Sequence, residues 1–157
     1  MRNRHKGFSL IELLIVVAII LIIAAIAIQN LLRSRMAANE ASAVGALRTI
    51  NTACVAYNST YGGFPPDLKS LGPGNPATAG AADLIDSILA TSTKSGYNFG
   101  YIAGPGKDAN NNFLEYSNTA TPVTVGTTGQ RRFYTDQSGV IRANPDGVAD
   151  AKSTPIS

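Results

Sequence analysis

Sixteen consecutive residues, Leu13 to Ile28, carry no polar side chain. No other feature restricts the fold as much. A helix apolar on every face has no surface to offer water and must lie in lipid or among other apolar helices. From Phe8 to Ile28 the stretch holds 21 residues, and about 20 helical residues span the roughly 30 Å hydrocarbon core of a bilayer. Glu12, just ahead of the oily run, is the anomaly. A lone acid near the centre of a membrane helix costs about 2.5–3.5 kcal/mol on insertion scales.

The helical pattern continues past Gln29. No proline precedes Pro65, and Gly45 is the only glycine between Gly7 and Gly62. Leu32, Met36, Ala43, Leu47, Ile50, Cys54, Tyr57 and Tyr61 recur mostly at steps of three or four, which predicts one amphipathic face. Arg33, Arg35, Asn39, Glu40, Arg48 and Asn51 are expected on the opposite side. One helix is therefore predicted from about Phe8 to Thr60, about 75–80 Å long. Gly62-Gly63 and Pro65-Pro66 should end it.

Beyond Tyr61 the chain turns polar and rich in Gly, Pro, Asn, Ser and Thr. Pro66–Leu71 reads as a short helical turn and Ala81–Thr91 as a second short helix. Alternation at Tyr97, Phe99 and Tyr101 predicts a strand. Phe113–Asn118 is a second, with Pro122 limiting its extension. Arg131–Asp136 and Gly139–Arg142 read as a hairpin turning near Asp136–Gly139. The tail from Ala143 reads as loop. The predicted fold class is α+β: a long N-terminal helix whose C-terminal half packs on a small antiparallel sheet of about four strands. Tyr97, Phe99, Tyr101, Phe113, Tyr116, Phe133 and Tyr134 supply its core.

Charge excludes one class of function. The net +3 arises before the oily run, at Arg2, Arg4 and Lys6; the remainder has ten basic and ten acidic residues. That distribution marks a cytoplasmic end and predicts no nucleic-acid partner. The adjacent Arg131-Arg132 reads as a solvated strand end. Cys54, the single cysteine, cannot form an intrachain disulfide and reads as a small buried hydrophobe. The single histidine, His5, lies in the leader-like segment, which removes the commonest general base. No nucleophile–base pattern stands out, so neither an enzyme nor a cofactor is expected.

The start of the chain resembles the class III signal and N-terminal helix of type IV pilins and type II secretion pseudopilins. The matching residues are Lys6-Gly7 followed by Phe8-Ser9-Leu10-Ile11-Glu12 and the apolar run. The resemblance implies cleavage between Gly7 and Phe8 by a prepilin peptidase, N-methylation of Phe8, residence in the bacterial inner membrane as a single-pass helix, and extraction by the inner-membrane pilus assembly machinery. It then implies a homopolymer packed through the N-terminal helices into an extracellular filament. Within that picture Glu12 pairs with the Phe8 ammonium of a neighbouring copy, each group offsetting the other's desolvation and fixing register, as one buried polar residue does in a coiled coil.

Two departures bear on this picture. Family members commonly carry a Gly and a Pro where this chain has Leu21 and Gln29, so a more continuous helix is expected. Many also close a C-terminal loop with a disulfide, which this chain cannot make. Metal binding is not expected. The weak calcium candidates are Asn144, Asp146 and Asp150; the run Asp108, Asn110, Asn112 lacks the later positions of a calcium loop and reads as a hairpin turn.

The resulting organisation is a leader at 1–7, a transmembrane and filament-core helix at 8–30, an amphipathic half at 31–61 and a globular head at 62–157. A structural subunit of a type IV pilus is the expected role. A pseudopilin of a type II secretion system is the alternative, and a monomeric membrane-anchored binding domain a more distant one. The head's length and its lack of a clear calcium loop favour the pilus.

Overall fold

The computed structural model describes residues 8–156; the expected leader at 1–7, with Gly7, lies outside them. The first helix, α1, runs unbroken over Leu10–Tyr61, straight through the two positions where breakers would stand. By length and composition its apolar part could cross a membrane. Gly62 ends it: its φ of 82° costs a glycine little, and its N–H reaches the Asn58 carbonyl at 2.9 Å.

The chain divides at Arg35/Met36 into two compact units. In the N-terminal unit the apolar side chains are exposed all round; Leu10, Ile22 and Ile26 are each more than 60% accessible. In the second unit α1 presents a buried stripe of Ala43, Ala46, Leu47, Ile50, Ala53, Cys54 and Tyr57. The stripe begins later than the pattern predicts, since Leu32 is exposed. On its outer side Thr49, Thr52, Ser59 and Thr60 each donate a hydroxyl to the carbonyl four residues back, at 3.0–3.1 Å.

After α1 comes a 3-10 turn, Lys69–Leu71, then α2, Ser87–Ala90. The expected helix over Ala81–Thr91 is thus cut to its last part. The N–H groups of Ala82 to Ile85 bond to the Ser70, Leu71 and Gly72 carbonyls instead, and Asp83 has a φ of 54°. The helix starts only where the Asp86 carboxylate accepts the Leu89 N–H at 2.7 Å, an N-cap.

The sheet is a six-stranded antiparallel meander, in sequence order. Its strands are β1 (Thr93–Lys94), β2 (Tyr97–Ala103), β3 (Tyr116–Pro122), β4 (Arg132–Asp136), β5 (Arg142–Asn144) and β6 (Thr154–Pro155). Strict alternation on β3 and β4 sends Tyr116, Asn118, Ala120, Pro122, Phe133 and Thr135 inward. Three corrections follow. The strand expected at Phe113–Asn118 begins at Tyr116, because Phe113 is taken by short bridges to Phe64 and Lys107. The tail is not all loop, since Ala143 and Asn144 lie in β5 and Ile156 N–H bonds to the Ile141 carbonyl. Two further two-residue strands bring the expected four to six.

Glu40 and Asn51 do not sit on a solvated face. Glu40 is buried, and its carboxylate accepts the Gln130 and Arg131 N–H groups at 2.9 and 3.1 Å and Arg131 Nε at 2.7 Å. Arg131 is accordingly no mere strand end. Asn51 donates to Thr135 Oγ1 and accepts from the Tyr116 hydroxyl at 2.9 and 3.0 Å. The helix is sewn to the sheet by polar bonds at two heights, and the aromatic core fills the space around them. Tyr101 stacks on Tyr116 with centroids 5.7 Å apart, and Phe64 meets Tyr116 edge-on. Cys54 is fully buried there; burial pushes its thiol up to about 12 against the opposing pull of the Tyr101 and Tyr116 hydroxyls.

Candidate assembly site at the start of the helix

The apolar run determines that α1 is a helix; Ser9 and Glu12 determine how it starts. Ser9 stands just before the first helical residue. Its carbonyl accepts the Leu13 N–H at 3.2 Å, opening the ladder, and its own N–H donates to Glu12 Oε2 at 2.8 Å. This is the returning half of a capping box, in which an acid three residues into the helix satisfies an otherwise orphaned donor. The same carboxylate lies in the first turn, where the positive end of the macrodipole favours an anion. Phe8 precedes it, four-fifths exposed.

The sequence reading placed Glu12 here but missed Ser9. The spacing Ser-x-x-Glu before an apolar run is a legible helix-start signal. In the single chain Glu12 therefore has a partner already. That partner is neutral and local, and it leaves Oε1 and the net charge of the carboxylate available to a cation.

The candidate oxygens late in the chain are also engaged locally. Asn144 Oδ1 accepts the Asp146 and Gly147 N–H groups at 3.0 and 3.1 Å. Asp150 Oδ1 accepts the Lys152 N–H at 3.0 Å and the Ser153 hydroxyl at 2.9 Å. Asp108 Oδ1 does the same for Asn110 and Asn112, at 2.8 and 2.9 Å, shaping the turn between β2 and β3. Each oxygen orders its own loop, as Asx turns do. Among the described residues no three His, Cys, Asp or Glu side chains gather as metal ligands would.

Comparison with known proteins bears on the same end of the molecule. The family described as the prokaryotic N-terminal methylation motif matches residues 2–28. The type IV wide pilus major component PilA4 of Thermus thermophilus is 40% identical over 98 residues, covering 60% of this chain and 71% of that protein. No solved structure matches. A basic stretch of sequence ahead of a capped helix with a wholly apolar run, a head built on that helix's second half, and a relative alike over most of its own length lead to one assignment: this chain belongs to the type IV pilin family.

Proposed function

We propose that the chain is a structural subunit of an extracellular type IV pilus, cut after Gly7, methylated on the new Phe8 amino group and polymerised through the helix at 8–30. The observation that carries this reading is the oily rod: its large apolar side chains from Leu10 to Ile28 are exposed on every face, and the same helix continues into a head that buries a core of its own. Such a rod is stable only in a bilayer or among its like. Prepilin peptidase and the inner-membrane assembly machinery are the partners that would move it from one to the other, and the pilus named for the Thermus relative is the corresponding end state.

Glu12 is the residue on which assembly turns. In the single chain it holds the Ser9 N–H. In a filament the Phe8 ammonium of a neighbour adds what the Ser9 N–H cannot, a full opposite charge to balance the carboxylate where water is excluded. The pair, made through the oxygen that the cap leaves free, fixes where each rod stops against the next, and it neutralises two groups that would each be costly alone in a dry core.

The test is intact mass and N-terminal sequence of the protein sheared from its host's surface. A methylated Phe8 start is expected. A start at Ile28, or an intact Met1 confined to the membrane, would overturn the proposal. A Glu12→Gln variant should accumulate in the membrane yet yield at least tenfold less sheared protein. The amide oxygen still serves the cap, so that loss would belong to the charge.

A further inference from the structure

Arg33 and Arg35 are the first charged residues after the apolar run, separated from Ile28 by Gln29, Asn30, Leu31 and Leu32, and both are exposed. Among the described residues the ion pairs are Lys94–Asp86 and Arg131–Glu40, and neither arginine takes part. At 3.6 residues per turn they project about 200° apart, on nearly opposite sides of one helical turn. A protein partner docking on one side could satisfy one of them. Both are satisfied at once only by an environment that surrounds the helix.

We infer that Arg33 and Arg35 bind phospholipid phosphates of the outer leaflet, clamping the helix at a fixed depth before assembly. The inference rests on the reading that the run spans a bilayer. Guanidinium groups match phosphate oxygens with paired N–H donors, and their apolar stems allow them to reach headgroups from just inside the boundary. The spacing fits. Glu12 and Arg33 are 21 positions apart, about 32 Å along a helix, against roughly 30 Å of hydrocarbon. With the arginines held at the outer phosphates, Glu12 falls at the inner boundary, where a carboxylate keeps contact with water. The arginine pair thus sets the depth at which the assembly residue waits.

The test uses full-length protein reconstituted in phosphatidylcholine–phosphatidylglycerol vesicles. A nitroxide is placed on Leu21→Cys in a Cys54→Ala background, and its depth is read from oxygen against nickel-complex accessibility. Arg33→Gln with Arg35→Gln should shift the label by at least half a helical turn, about 3 Å. Each single variant should give a smaller shift, and Arg→Lys at both positions a smaller shift than Gln. Unchanged depth in the double variant would overturn the inference, as would a shift carried wholly by one arginine, which would indicate a one-sided contact. A wild-type label that never enters the bilayer would overturn the membrane reading itself, a result distinct from an inserted label that ignores the arginines.

Discussion

Glu40 takes three hydrogen bonds from one short segment, two from backbone N–H groups and one from a guanidinium. Burial alone would favour its neutral form. The bonds to Gln130 and Arg131, with the charge of Arg131, outweigh that and hold the carboxyl below its ordinary value of 4.5. A group whose pKa is depressed in the folded state adds stability that is fully present above the unfolded value and is lost as pH falls through the folded one. Wild-type protein should therefore lose melting temperature as pH falls from about 5 toward 3, and a Glu40→Gln variant should lose distinctly less. At pH 7, Glu40→Ala should destabilise the head by about 2–3 kcal/mol, as hydrogen bonds to charged groups do; thermal unfolding in mild detergent measures both. This residue was not legible in the sequence. Its partner lies some ninety positions away, and a local pattern of polar and apolar residues cannot distinguish a solvated glutamate from one that a distant loop will cover.

The long helix was the most legible element, because its signal repeats over many turns and nothing in it opposes helix. Short elements were read less well, for a physical reason. Ala81–Ile85 has the composition of a helix, but from Ala82 onward its N–H groups find carbonyls in the Ser70–Gly72 segment, a tertiary choice that overrides propensity. The same logic yields a prediction for α1. Its continuity through Leu21 and Gln29 is a property of the residues there, so Gln29→Pro should break it locally. Proline removes one ladder bond and clashes with the preceding turn, at a cost of about 3 kcal/mol or more. In detergent micelles the amides from about Ala25 to Ile28 should exchange slowly in the wild type and at least tenfold faster in the variant. Equal protection in both would mean that the apolar surroundings, rather than sequence, hold this stretch helical.

At the scale of the whole molecule, the units on either side of Arg35 ask for different surroundings. The second, Met36–Ser157, contains the buried core and the whole meander, so a chain reduced to it should be soluble and folded without detergent. Cys54 supplies the readout. Fully buried, with its thiol raised to about 12, it should resist iodoacetamide at pH 8 until denaturant unfolds the head, because the thiolate is the reacting form. Rapid labelling of the shortened chain under native conditions would mean that the head needs the rod to fold. The α+β class, the approximate places of the main strands along the chain and the oily rod were all legible; so was the Ser9 cap, because Ser-x-x-Glu is a local signal. The partners inside the head, Glu40 with Arg131 and Asn51 with Thr135 and Tyr116, were not, since only the closed fold brings them together.

The meander ends on either side in a strand of two residues, and one of these contains Pro155. An open sheet edge is a template on which another chain can pair, and the hazard grows when many identical domains are held shoulder to shoulder. Edges this short, one with a residue that has no N–H to donate, offer a neighbour almost nothing to extend. Heads crowded along a fibre would thus remain separate bodies instead of fusing into continuous cross-β structure. Cohesion would be left to the rods, and the fibre could be taken apart again into intact subunits.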